Sequence, residues 1–377
     1  MKSKDRIVAL EHNVHNNSNA AQKARSYGEL SDALFAEGFV QDASIANDAS
    51  MYHGGQGSCV GQELDRDSVN NKNRLEEQAE YIKNRNIFTD YPSVIQFETL
   101  SMCNARCVYC PSMKTPRRNN RMTDVYLDKL LNEIGDISRE TTIAIAPHYV
   151  NEPFMDSRLI EILKRVDKQM SRVKVSLFTN GSLLYEREAK ELSQIGKISA
   201  ISVSLNEYEK APYTRVTGLS FEKTIQNIKY LHGLAEKGQL KTEVYIRRVG
   251  DGSASDQEFV EFVKREFPLF IPACRRQTDW IGQIDTDSSG NALVKYPLGF
   301  IPVMGCNQWF RIHISSEGKA YVCCFDGVGK WPVADLNHMH ILDFYRSKYK
   351  RMLRKDIYTR LEAPPPCNSC NIYWNED

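Results

Sequence analysis

Seven of the ten cysteines fall into two groups whose spacing is that of metal ligands. Cys103, Cys107 and Cys110 form C-x3-C-x2-C immediately after the apolar run SVIQFETL. A four-iron cluster normally takes four cysteines. Three thiolates on one short loop therefore fit three irons of a cubane and leave the fourth iron open to a small molecule. Zinc, the alternative, usually arrives with paired C-x2-C units. The second group is Cys306, eleven residues, Gly318, four residues, Cys323, and then Cys367 and Cys370 in CNSC. Its four thiolates could saturate a second cluster or hold a structural zinc ion.

These ligands need a scaffold. From Ser93 onward, short apolar runs alternate with amphipathic stretches: SVIQFETL, TIAIAPHYV, VKVSLFTN, AISVSLN, KTEVYIRRV and LFIPAC read as six strands. Thr123 to Ile134, Ser157 to Met170, Tyr185 to Ile195, Phe221 to Glu236 and Ser255 to Glu266 carry apolar residues at helical spacing. Their lengths suit crossover helices between parallel strands. The expected fold is α/β, a partial (β/α)6 TIM-like barrel followed by a small cysteine-rich domain. Three segments are expected: 1–90, a polar extension containing HNVHNNSN, MYHGGQGS and the short helical patterns Ala20 to Phe35 and Arg74 to Asn84; 91–285, the barrel; and 286–377, the cysteine-rich unit.

With Tyr109 just ahead of Cys110, the loop resembles that of the radical S-adenosylmethionine (SAM) superfamily, where C-x3-C-x-aromatic-C follows the first barrel strand. The resemblance implies that the open iron is chelated by the amino and carboxylate groups of SAM. One electron then cleaves SAM to methionine and a 5'-deoxyadenosyl radical, which abstracts a substrate hydrogen. NEPFMD after the second strand occupies the place of the family's Gly-Gly-Glu-Pro segment, so Asn151, Glu152 and Pro153 are expected at the SAM amino group. Val150 and Asn151 depart from the family there, standing where glycines are usual. FTNGS and SVSLN add Thr179, Asn180 and Ser204 to the expected pocket beside Tyr109.

The second cysteine group resembles the SPASM/twitch extension of the same superfamily. Because no further cysteines follow CNSC, the resemblance implies the shorter form, with one auxiliary [4Fe-4S] cluster on Cys306, Cys323, Cys367 and Cys370. The expected cofactors are SAM and two [4Fe-4S] clusters. Of the remaining cysteines, Cys59 lies in the polar arm and Cys324 beside a ligand. Cys274 ends the sixth strand, where a thiol could return a hydrogen atom to a substrate radical or pack as a small hydrophobe. Arg275, Arg276 and Asp279 follow it, and Asp279 could accept a proton.

The expected reaction is oxidation or epimerisation of a sugar- or aminocyclitol-type small molecule in a biosynthetic pathway. The alternative is cross-linking or epimerisation of a ribosomally made peptide. An electron donor such as flavodoxin or ferredoxin is implied. The balance of 49 basic against 48 acidic residues argues against a nucleic-acid or anionic-membrane partner. No apolar run approaches the roughly 18 residues of a membrane span, and MKSKDRIVALEHN turns polar before a signal-peptide core could form. A cytoplasmic location, with thiols kept reduced, is expected.

Overall fold

The computed structural model describes residues 19–36, 80–250, 252–284, 305–357 and 359–370, together with positions 7, 9–11, 13, 14 and 46. Cys59, MYHGGQGS, residues 74–79, the connection after Ile284 and the side chain of Arg276 lie outside the described residues. The chain divides into two compact units, 1–89 with 294–309 and 347–376, and 90–293 with 310–346.

In the first unit, helix α1 (Ala20–Ala36) buries Tyr27, whose hydroxyl bonds to Thr359 and donates to Glu362 Oε1 at 2.7 Å. Residues 80–87 are also helical. Tyr81 lies against Gly305 so closely that a Cβ there would come within 2.2 Å of its ring. A side chain at position 305 would have to displace the Tyr81 ring.

The second unit is a nine-stranded sheet in the order β6-β5-β4-β3-β2-β1-β7-β8-β9. Strands β1 (Val94–Phe97), β2 (Ile143–Ala146), β3 (Val173–Thr179), β4 (Ile198–Ser204), β5 (Glu243–Gly250) and β6 (Ile271–Arg276) are all parallel. They are joined by α2 (Asp124–Glu140), α3 (Leu159–Gln169), α4 (Glu186–Leu192), α5 (Lys210–Thr217), α6 (Phe221–Glu236) and α7 (Ala254–Glu266). Sequential order with right-handed crossovers places these helices on one side of the sheet. That side is apolar: Ile95, Ile145, Val175, Leu177, Ile201 and Ile246 meet Leu130, Leu163 and Ile228 in a single core. Helix α2 shows how local signals agree with this packing. Thr123 Oγ1 caps it by accepting from Tyr126 N at 3.2 Å, Asp124 and Arg139 complement its dipole, and Leu127, Leu130, Leu131 and Ile134 form its buried stripe.

The opposite face carries Gln96, Ser176, Phe178, Ser202, Ser204, Tyr245, Arg247, Ala273 and Arg275, because registered neighbours on parallel strands point the same way. The α/β arrangement of six parallel strands with crossover helices, expected from the sequence as a partial (β/α)6 barrel, is thus present. The structure adds three strands to it. β7 (Arg311–Ile314) pairs parallel with the free edge of β1, and β8 (Lys319–Tyr321) and β9 (Pro332–Asp335) follow antiparallel. These strands have four residues or fewer, too short for a periodic signal. Gly318, at φ +76°, makes the hairpin turn between β7 and β8. Helix α5 was also not anticipated, since KAPYTRVT carries a proline and little apolar periodicity.

Ile145→Ala, in the fully buried core, is expected to lower unfolding free energy by roughly 2–5 kcal/mol, whereas Val125→Ala on the exposed side of α2 should stay within about 0.5 kcal/mol. Denaturant titration of both variants against the parent checks the pair.

Candidate active site at the three-cysteine loop

The three cysteines lie past the C-terminal end of β1, the end at which barrel folds gather functional groups. Their loop is anchored from two directions. Arg106 N donates to Thr217 O at 2.8 Å and Val108 N to Val216 O at 3.1 Å, so the carbonyls ending α5 hold its middle. Trp280 Nε1 donates to Tyr109 O at 2.9 Å. Trp280 and Ile281 have φ of 51° and 55°, a left-handed conformation that costs about 1–3 kcal/mol per residue outside glycine. Gln283 holds this turn in place, donating to Asp326 Oδ1 and accepting from Val328 N, each at 2.8 Å.

Burial is the largest influence on each thiol. It pushes Cys103 up to about 12 and raises Cys107 and Cys110, and the neighbouring cysteines raise Cys103 and Cys107 further. Only a positive centre would keep such thiols ionised together. Among the described residues no three His, Cys, Asp or Glu side chains are gathered to close on one metal ion. A tetrahedral zinc ion would draw its sulfurs to about 4 Å from one another, given Zn–S bonds near 2.3 Å. A cubane takes each thiolate on a different iron, and the three cysteines of this one loop could supply three of the four it needs. The Tyr109 hydroxyl lies at Cys107.

Next to the loop, Glu152 caps the single turn Pro153–Met155 and donates its N–H to Met102 O at 2.9 Å. Its carboxylate is fully enclosed: Oε1 accepts from Thr179 Oγ1 at 2.7 Å and Phe154 N at 3.3 Å, and Oε2 accepts from Asn180 N at 2.7 Å. Desolvation outweighs these three bonds and lifts the carboxyl to about 7. Asn180 Nδ2 donates to Asn104 Oδ1 at 2.8 Å and stands 4.0 Å from Cys103 Sγ. Asn104 in turn donates to Ser182 Oγ at 2.8 Å. Gly181, at φ +75°, is the turn that makes this possible, because a Cβ would come within 2.8 Å of Val203. The side chain of Asn151 accepts from Tyr149 N at 2.8 Å, while its Nδ2 is buried without a partner among the described residues.

The structure therefore brings Cys103, Cys107, Cys110, Tyr109, Glu152, Pro153, Thr179 and Asn180 into one connected site. Ser204 ends β4 on the open face of the sheet. Asp279, in the loop past β6, has a buried Oδ1 with no partner among the described residues. Cys274 requires a correction. It pairs with Arg248, and its thiol donates to Asp256 O of α7 at 3.7 Å, on the helix side of the sheet. Alternation along β6 gives the open face to Ala273 and Arg275 instead, so the hydrogen-donor role is not carried forward.

Sequence reasoning missed Asn104, Ser182 and Trp280, whose roles depend on contacts distant in sequence. It also missed Glu98 and Arg117, a buried pair at 2.5 Å just before and after the loop, with the guanidinium 5.3 Å and 5.4 Å from the Tyr149 and Tyr321 ring centres. Polar residues near a strand end, as in ETL and NGS, were the available signal.

In the first unit, Cys306 and Cys367 are buried, Trp309 Nε1 donates to Cys367 Sγ at 3.5 Å, and Arg360 Nη1 donates to Cys370 Sγ at 3.9 Å. In the second unit, Cys323 Sγ accepts from Phe325 N at 3.4 Å. Donors directed at sulfur suit iron-bound thiolates.

A profile of the radical SAM superfamily matches residues 97–265, and one for an iron-sulfur cluster-binding domain, SPASM, matches 306–371. An uncharacterized protein of Methanocaldococcus jannaschii is 30% identical over 148 residues, 38% of this chain and 45% of that protein. The S-adenosyl-L-methionine-dependent 2-deoxy-scyllo-inosamine dehydrogenase of Niallia circulans is 27% identical over 105 residues, 28% of this chain and 41% of the dehydrogenase. The chain thus spans under half the length of either relative. Streptococcus suis SuiB bound to precursor peptide SuiA shares the fold with a TM-score of 0.53 at 13% identity, over 87% of this chain and 82% of SuiB. No helix among the described residues is long and apolar enough to cross a membrane. With the two profiles falling on the two cysteine groups, the chain belongs to the radical SAM superfamily, using SAM and a [4Fe-4S] cluster, and carries a C-terminal SPASM-type iron-sulfur domain.

Proposed function

We propose that this protein takes a hydrogen atom from a sugar- or aminocyclitol-type small molecule and so oxidises or epimerises it in a biosynthetic pathway. The observation that carries the reading is the enclosed Glu152 carboxylate, fixed by Thr179 and Asn180 beside the Cys103 loop. The dehydrogenase among its relatives supports the substrate class. Bound SAM and its cluster supply a one-electron cleavage that delivers a hydrogen-abstracting radical. Cys103, Cys107 and Cys110 hold three irons. Glu152 receives the SAM amino group, with Asn151 Nδ2 as a further donor toward the ligand. Tyr109, Pro153 and Ser204 complete the pocket. In the oxidative branch Asp279 would take the proton that the substrate radical loses, and the auxiliary cluster would be the acceptor for its electron. Cys306, Cys323, Cys367 and Cys370, all inside the SPASM match, hold one auxiliary [4Fe-4S] cluster. A flavodoxin or ferredoxin supplies electrons. A peptide substrate is the second reading, because SuiB, whose fold this chain shares, is described with a precursor peptide bound.

Replacing Cys103, Cys107 and Cys110 together by Ala should abolish 5'-deoxyadenosine formation while about half of the iron remains. Continued formation would sink the ligand assignment. Replacing Cys367 and Cys370 by Ser should remove the other half of about eight irons per chain, and unchanged iron content would contradict that donor set.

Burial lifts the Glu152 carboxyl to about 7, so below that pH it is protonated and a poorer acceptor for the N–H of an iron-bound amino group. SAM affinity should rise as pH increases through about 7 and keep rising toward about 8, because an amino group that chelates iron must first give up its proton. Glu152→Gln should weaken SAM binding about ten-fold or more and remove the lower limb of this profile. Equilibrium SAM binding between pH 6 and 9 checks both, and an unaltered profile in the variant would remove Glu152 from the amino-group role.

A further inference from the structure

Two stretches of the N-terminal segment lie against the cysteine-bearing parts of the first unit. One is the helical stretch 80–87. Its Tyr81 meets Trp309 edge to face, with ring centres 6.2 Å apart at 76°, and Asn84 Nδ2 donates to Asn307 Oδ1 at 2.9 Å. Trp309 is buried, and its indole N–H is directed at sulfur, Nε1 donating to Cys367 Sγ at 3.5 Å. Its backbone N–H donates to Cys306 O at 3.0 Å, so this residue touches two of the cysteines. Tyr81 thus braces the ring that carries the sulfur-directed donor.

The other stretch is α1. The Tyr27 hydroxyl bonds to Thr359 and donates to Glu362 Oε1 at 2.7 Å, while Lys23 Nζ donates to Glu362 Oε2 at 3.5 Å. Thr359 precedes the single turn Arg360–Glu362 and Glu362 ends it, so α1 grips the turn at both ends. Between these grips Arg360 is buried, its Nε donating to Gly305 O at 3.4 Å and its Nη1 to Cys370 Sγ at 3.9 Å. A guanidinium removed from water is best matched by negative charge, which an iron-bound thiolate supplies and a protonated thiol does not. Both sulfur-directed donors of this unit are therefore held in place by tyrosines of the N-terminal segment.

We infer that the N-terminal segment sets the reduction potential of the auxiliary cluster: Tyr81 positions Trp309 and Tyr27 positions Arg360, and these two direct an indole N–H and a guanidinium at the sulfurs of Cys367 and Cys370. Reduction adds one negative charge to a cluster. Hydrogen bonds and positive charge at its sulfurs stabilise that state over the oxidised one and so raise the potential. A raised potential suits a cluster that takes one electron from a substrate radical as that radical also gives up one proton. The inference rests on the assignment of Cys306, Cys323, Cys367 and Cys370 to one auxiliary cluster, and it gives residues 20–36 and 80–87 a part in its chemistry. Tyr27 and Tyr81 are positioning residues, since they act through the two donors.

An EPR-monitored redox titration of anaerobic holoprotein reads the potential, and added SAM, by altering the signal of the three-cysteine cluster, tells that cluster from the other. Trp309→Phe removes the N–H and keeps a ring, and Arg360→Gln removes the charge. Each should move the auxiliary cluster about ten-fold or more toward its oxidised form, a fall of about 59 mV for one electron. About eight irons should be retained and the other cluster left unmoved. Arg360→Lys should restore part of the loss, and Tyr27→Phe and Tyr81→Leu should lower the potential by smaller shifts in the same direction. An auxiliary potential unmoved in either donor variant, or moved there but in neither tyrosine variant, overturns the proposal. Loss of iron from every variant makes these residues structural and also overturns it. A parent protein holding only about four irons contradicts the auxiliary-cluster assignment itself and removes the inference with it.

Discussion

The buried carboxylate of Glu152 constrains everything around it. A carboxylate removed from water must find donors, and those it finds come from the ends of two strands: the turn it caps itself past β2, and Thr179 with Asn180 at β3. Its own N–H reaches back to Met102, one residue before the first cysteine. One side chain therefore ties the positions of β1, β2 and β3 ends to the cluster loop. Asn180 extends the tie through Asn104, inside the loop. The three bonds do not restore the ordinary acidity of the group, so desolvation is the larger effect there.

A second buried charge pair does comparable work on the other side of the loop. Glu98 and Arg117 are almost fully enclosed, and the two Tyr rings flanking the guanidinium come from the loop past β2 and from β8. Such a pair contributes little net stability compared with an apolar substitute, but breaking it leaves an uncompensated buried charge. Its value lies in specifying one arrangement. Ser316 N also donates to Glu98 at 3.4 Å, so the pair registers the β7–β9 extension against the start of the cluster loop.

Much of this was legible in the sequence because it is local. The six strands announce themselves as short apolar runs, and the helices between them as stripes. The C-x3-C-x-aromatic-C loop and the Glu-Pro dipeptide are contiguous. What escaped depends on distance along the chain: Trp280 meets Tyr109 across 171 positions, and Asn104 meets Asn180 across 76. The extension strands escaped because two of them hold four residues and one holds three. Cys274 was misplaced for a different reason. The sequence locates it at a strand end but does not say which face it takes, and a shift of one position decides that.

The same alternation explains why Arg247 and Arg248 behave so differently despite being adjacent. A strand cannot turn two neighbours the same way, so with Arg247 on the open face Arg248 falls among the helices. There Arg248 would be a buried charge without a counterpart, and Glu207 and Asp256 supply one. Asp256 also accepts the Gly252 N–H at 2.8 Å, tying it to the β5–α7 turn, and its carbonyl takes the Cys274 thiol. The helix-side network is thus the structural counterweight of the open-face arginine. Its carboxylates belong to Arg248, while Arg247 on the open face is braced by Ser202, Phe178 and Tyr245.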